Sequence, residues 1–162
     1  MIKTVAFTGK RPQNLPWLFN EQDERCLQLK ERLKAEIENC IKQGYTAFIS
    51  GMALGVDTFV AETVLELKSR YPTITLEAAI PCESQSDKWY AADRERYRVL
   101  LNQCDKRTYV GREYTADCML KRNKYMVDKA NLLIAVCSEL SGGTGATVKC
   151  AQSKGIEVLP RY

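Results

Sequence analysis

The chain has 162 residues and a net charge of +4, with 45% hydrophobic and 27% charged residues, the make-up of a globular protein rather than a disordered or fibrous one. No apolar run approaches the roughly 20 residues of a membrane span, and the mild positive charge permits anionic ligands without demanding nucleic acid. Histidine is absent, which excludes Ser-His and Cys-His nucleophile pairs and the imidazole ligands of most catalytic zinc sites.

Short apolar runs alternate with longer amphipathic ones. Residues 3–8 have the Val/Phe/Thr character of a strand and follow the N-terminus at once, so no cleaved signal peptide is expected. Across 21–43, Cys26, Leu29, Leu33, Ile37 and Cys40 recur at steps of three and four, which predicts one apolar helical stripe ending at a Gly44 cap. A strand at 46–50, a helix at 56–69 and a strand at 73–80 come next. They are followed by a helix at 87–104, a short strand at 107–110 and a helix at 116–130. A buried strand at 132–136, a helix at 142–154 halted by Gly155, and a strand at 156–159 complete the chain.

Six strands alternating with five helices predict one domain with an α/β, Rossmann-like three-layer fold: a mainly parallel six-stranded sheet with helices on both faces. Seven cysteines (Cys26, Cys40, Cys82, Cys104, Cys118, Cys137, Cys150) form no Cys-x-x-Cys pair and read as reduced thiols of a cytoplasmic protein.

Ligands of such sheets bind beyond the carboxyl ends of the strands, and three segments there carry glycines. Thr8-Gly9-Lys10-Arg11-Pro12 pairs a glycine with two cations able to neutralise phosphate. Ser50-Gly51-Met52-Ala53-Leu54-Gly55-Val56-Asp57 puts two glycines at a strand-to-helix turn, where backbone N–H groups favour an anion. Asp57 in the first helical turn is expected either to cap the helix or to meet a ribose hydroxyl, since a carboxylate repels phosphate. Ser141-Gly142-Gly143-Thr144-Gly145-Ala146-Thr147, between the fifth strand and the last helix, offers consecutive N–H donors and two hydroxyls. It lacks the Lys-Ser/Thr ending of a Walker loop, so magnesium-dependent NTP hydrolysis is not supported. No cofactor and no metal site are expected.

These loops together resemble the SLOG superfamily of Rossmann-like ligand-binding domains. Residues 8–12, Pro81-Cys82-Glu83-Ser84-Gln85 with Trp89, and Arg122-Asn123 with Met126-Val127-Asp128 match its YpsA-like branch over essentially the whole chain. The resemblance implies a nucleotide or ADP-ribose-like ligand, cyclic nucleotides included, held at the three loops by Thr8, Gly9, Lys10, Arg11, Ser50, Gly51, Met52, Ala53, Gly55, Asp57, Gln85, Trp89, Arg122, Asn123, Met126, Gly142, Gly143, Thr144 and Gly145. It also favours a homodimer or larger homo-oligomer; with a small molecule as partner, nucleic acid is not the expected one, and no membrane is expected.

Two relatives of that superfamily imply alternatives. LOG-type phosphoribohydrolases carry an arginine and, about twenty residues on, Gly-Gly-x-Gly-Thr-x-x-Glu. Arg122 matches the first, but Lys149 stands where their catalytic glutamate belongs. Cleaving an N-glycosidic bond needs a carboxylate to stabilise the oxocarbenium-like sugar and activate water, so sensing or sequestering a ligand is the expected task rather than turnover. The DNA-processing protein DprA carries a nearly identical Ser-Gly-x-Ala-x-Gly-x-Asp loop, but single-strand binding favours a dense basic groove with stacking aromatics. Lys10, Arg11, Lys121, Arg122 and Lys124 form no such run, and that reading ranks third. The Trp17 loop, Asn14 to Asn20, could cap the cleft, a point on which the sequence is silent.

Overall fold

Strand chemistry decides which residue faces which layer. In β1 (Thr4–Gly9), Val5 and Phe7 join one core and Ala6 the other, as the two-residue repeat of a strand requires. The same division separates Phe48 from Ile49 in β2 (Ala47–Ser50), and Ala78 and Ile80 from Ala79 in β3 (Thr75–Ile80). In β5 (Leu132–Val136) it separates Leu132, Ile134 and Val136 from Leu133 and Ala135. A sheet apolar on both faces needs helices on both faces.

The computed structural model describes residues 1–136 and 142–159. With β4 (Lys106–Tyr109) and β6 (Glu157–Leu159) at its edges, the sheet has six strands in the order β4-β3-β2-β1-β5-β6, and every pairing is parallel. Helices α1 (Glu24–Lys42), α2 (Val56–Lys68) and α3 (Ala91–Gln103) contribute to the larger core. Helices α4 (Cys118–Lys129) and α5 (Gly142–Ser153) cover the other face over small residues, Ala6, Ala79 and Ala135 among them. The expected Rossmann-like three-layer fold is the observed one.

The predicted α1 stripe of Cys26, Leu29, Leu33, Ile37 and Cys40 is buried, and Asp23 caps the helix by accepting from Arg25 N at 2.9 Å. Gly44, at φ +98°, ends it while Tyr45 N donates to Cys40 O, the bond that closes such a helix end. Truncating Leu33, 1% exposed, is expected to cost about 2–5 kcal/mol. Three helices begin later than their periodicity predicts, α4 by two residues, at Cys118 rather than 116. α1 starts at Glu24 rather than 21 because Glu21 is drawn aside by Arg96. α3 starts at Ala91 rather than 87 because 82–89 fold as successive turns, with Gln85 N bonded to Cys82 O, Asp87 N to Ser84 O and Trp89 N to Ser86 O.

The six described cysteines are free thiols, four of them buried; Cys137 lies outside the described residues. Burial pushes Cys40 and Cys104 up to about 11 each. Among the described residues no helix is long and apolar enough to cross a membrane. Strand order runs outward from β1 to β4 on one side and resumes at β5 on the other, so the chain diverges at the β1/β5 seam, where a crevice opens in sheets of this kind.

Candidate functional site

The turn after β2 is knitted to itself. Ser50 Oγ donates to Asp57 O at 2.9 Å and accepts from Met52 N at 3.1 Å, while Thr58 Oγ1 donates to Ala53 O at 2.8 Å. Asp57 Oδ2 accepts from Ala53 N at 3.3 Å. Met52 sits at φ +60° with its side chain 1% exposed, a conformation that costs a residue with a Cβ on the order of 1–3 kcal/mol and is held here by core packing.

The turn after β1 locks onto this one. A Cβ at Gly55, itself at φ +87°, would lie 2.6 Å from Lys10 O and 3.1 Å from Pro12 Cδ, and a Cβ at Gly9 would lie 2.5 Å from Val56 Cβ. Both glycines therefore serve the close approach of two protein segments, fastened by Val56 N donating to Lys10 O at 3.2 Å.

Above Gly51 the space a side chain would need is taken by Arg122. A Cβ there would lie 2.5 Å from Arg122 Nη1 and 2.9 Å from Asp57 Oδ2. Arg122 rises from α4 and is 4% exposed. Its Nη1 donates to Gly51 O at 2.6 Å and Ala79 O at 3.3 Å, its Nε to Asn123 Oδ1 at 2.9 Å, and its Nη2 approaches Met119 Sδ at 3.7 Å. All these acceptors are neutral. Among the described residues no carboxylate forms an ion pair with Arg122 within 4 Å. Burial lowers the Arg122 pKa, opposed by the nearby Asp57 charge. Burial also raises the Asp57 carboxyl, opposed by Arg122 and by the bond from Ala53. Asp57 keeps one edge towards solvent, but its carboxylate sits deep enough to lose water.

Over this floor lies a cleft of about 340 Å³. Thr8, Gly9, Lys10 and Arg11 form the β1 side; Ala53 and Asp57 come from the β2 turn and α2; Arg122, Asn123 and Met126 come from α4, and Thr144 from α5. Ten of the residues singled out in the sequence thus line one cavity. Asn14, the first residue of the loop expected to cap the cleft, lines it too, as do Phe7, Gln13 and Met119, which were not among the expected ligand residues; Gln13 and Asn14 belong to a single 3-10 turn, Pro12–Asn14, that the two-step and four-step patterns do not detect.

Other sequence-predicted site residues fall elsewhere. Ser50, Gly51, Met52 and Gly55 are buried beneath the cleft as framework of the turn. Gln85 Nε2 donates to Gly51 O at 3.3 Å and lies 3.4 Å from Tyr97 Oη, and Trp89 packs edge-on against Tyr97 with centroids 5.2 Å apart. This pair braces the Gly51 carbonyl from the α3 side and does not line the cleft. Gly142 and Gly143 open α5 and Gly145 is buried within it, so these glycines belong to the first helical turn. Ser141 lies outside the described residues. Lys149 is exposed and is not among the cleft residues. Trp17 packs against the larger core, with its Nε1 buried and unbonded.

An all-parallel three-layer sheet with a cleft over its strand-order reversal defines a Rossmann-like α/β protein. The family model described as YspA SLOG family matches residues 5–154, and the chain belongs to that family. A UPF0398 protein of Bacillus thuringiensis (strain Al Hakam) is 28% identical over 157 residues, covering 95% of this chain and 85% of the relative. Two solved structures share the fold. DNA processing protein A of Streptococcus pneumoniae superposes with a TM-score of 0.66 at 15% identity, over 99% of this chain and 51% of that one. DNA processing protein A of Helicobacter pylori, solved for its single-stranded DNA binding mode, gives 0.63 at 19% identity, over 99% and 66%.

Proposed function

We propose that this protein binds a phosphate-bearing nucleotide or nucleotide-derived ligand in the cleft at the β1/β5 seam, sensing or sequestering it rather than turning it over. The observation that carries the reading is Arg122, a guanidinium buried without a paired carboxylate among the described residues, at the wall of an open cleft. A buried charge is normally paired, and an anionic ligand supplies the partner this one lacks. Lys10 and Arg11 add two cations against the single carboxylate of Asp57. That balance suits a phosphate monoester, which carries about −1.5 to −2 charge at neutral pH. The first turn of α5 brings further N–H groups to the same end of the sheet.

The binding reading also rests on what surrounds the cleft. Glycoside cleavage uses a pair of carboxylates, and Asp57 stands alone among the described lining residues. At ligand concentrations about 100 times the dissociation constant, a bound species adds roughly 2.7 kcal/mol of stability, several degrees for a domain of this size. Across nucleosides, nucleoside monophosphates, cyclic nucleotides and ADP-ribose derivatives, at least one phosphorylated species is expected to raise the melting temperature by that amount and its nucleoside much less. A flat response over the panel contradicts the reading.

A further inference from the structure

Asp57 is out of place in a cleft built for phosphate. It stands between the charges of Arg11 and Arg122, yet forms no ion pair with either among the described residues. Its Oδ2 holds the β2 turn through Ala53 N, and no described group donates to its Oδ1. The backbone carbonyl of the same residue is anchored by Ser50 Oγ, so the carboxylate is fixed in direction. A fixed carboxylate in an otherwise cationic cleft repels phosphate oxygens and attracts hydroxyl donors. It accepts strongly from an O–H group, because a hydrogen bond to a charged acceptor outweighs one between neutral groups. Asn123 lines the same cleft from α4, its Oδ1 committed to Arg122 Nε, leaving an amide N–H able to face a ligand oxygen.

A vicinal diol on the sugar that carries a phosphate presents this chemistry: the anion at the cations and hydroxyl donors at the carboxylate. On the reading of the cleft given above, we propose that Asp57 reads the ribose hydroxyls and makes the site selective for ribonucleotides over their deoxy counterparts. The preference would also distinguish a small ribonucleotide ligand from single-stranded DNA, whose sugars lack the 2′-hydroxyl.

The test is a binding titration of the full chain with the 5′-monophosphates of adenosine, guanosine, cytidine and uridine, each beside its 2′-deoxy and 3′-deoxy form. The wild-type protein is expected to bind at least one ribonucleotide about tenfold to hundredfold more tightly than the form lacking the bonded hydroxyl. Asp57→Ala should bring the two forms to within about twofold of each other while still binding phosphate. Asp57→Asn keeps an oxygen for Ala53 N and serves where the alanine variant does not fold; it should narrow the preference. Equal binding of ribose and deoxyribose forms by the wild type overturns the diol reading and leaves the anion cleft standing. A ribose preference undiminished in the folded variants overturns the role of Asp57. Failure of every phosphorylated compound to bind removes the cleft reading and this inference together.

Discussion

Arg96 and Arg122 both leave their helices to meet neighbouring elements, and their surroundings are opposite. Arg96, from α3, is clamped by two carboxylates. Nη1 and Nη2 meet Glu21 at 2.7 and 2.9 Å, and Nε and Nη2 meet Glu62 at 2.9 and 2.6 Å. Arg122, from α4, is more deeply buried and among the described residues meets only carbonyls, an amide and a thioether. The first arrangement ties the connection before α1 to α2 and α3, its charge neutralised within the fold. The second leaves a cation in search of a counter-charge beside an open cleft. The same side chain can therefore serve structure in one place and, on the proposed reading, ligand binding in another, and the discriminating feature is the charge of what surrounds the guanidinium.

The largest expected effect comes from closing the space that Arg122 occupies. Gly51→Val would push a Cβ to 2.5 Å from its Nη1 and should cost about 3 kcal/mol through overpacking and lost hydrogen bonds, with ligand binding abolished. Chemical denaturation together with a binding assay checks both; a variant with wild-type stability and affinity breaks the assignment.

Next in size is the crossing of the two arginines. Arg96→Met should lose about 2 kcal/mol of folding stability, since it strands the partly buried Glu62 and leaves Glu21 with Lys30 alone, a cost discounted here for solvent access. It should leave ligand affinity unchanged. Arg122→Met should alter stability by only about 1 kcal/mol, because lost hydrogen bonds are offset by removal of a buried charge that Asp57 balances only at a distance. If the two variants show the same profile, the comparison fails.

A smaller effect follows from pH. The side-chain hydrogen bond from Arg96 holds the Glu21 carboxyl at about 2 against a usual 4.5. A depressed folded value contributes stability that is complete above the unfolded pKa and disappears as pH falls through the folded one. The stability gap between wild type and Arg96→Met should therefore be full above about pH 5 and shrink towards pH 2. A gap constant over that window contradicts the clamp. Smallest of all should be binding of single-stranded DNA, weak and lost near physiological salt, since few cations line the cleft; sub-micromolar binding surviving such salt would move the site from nucleotide to nucleic acid.

Much of the fold was legible because it depends on local pattern: the α1 stripe, the Gly44 and Gly155 stops and the apolar β5 run each announce themselves within a few residues. The loops at strand ends were legible as glycine-bearing turns. What fills the space beside each glycine was not, since Val56, Arg122 and the Lys10–Pro12 backbone arrive from elsewhere in the fold. Gln85 and Trp89 were grouped with the ligand residues by motif, but the 82–89 turns aim them at Tyr97 and the back of Gly51. Helix starts at 21 and 87 were misjudged where tertiary contacts and stacked turns override periodicity. Nothing within either arginine's own helix reveals that, among the described residues, Arg96 finds two glutamates and Arg122 none, because the difference is made by residues distant in sequence.

The most direct test of the account is calorimetric titration of the phosphorylated compound that most raises the melting temperature into wild-type, Arg122→Met and Arg96→Met proteins, each verified as folded. The buried unpaired arginine predicts a roughly tenfold to hundredfold loss of affinity in Arg122→Met and wild-type affinity in Arg96→Met. Wild-type affinity in a folded Arg122→Met protein would contradict it.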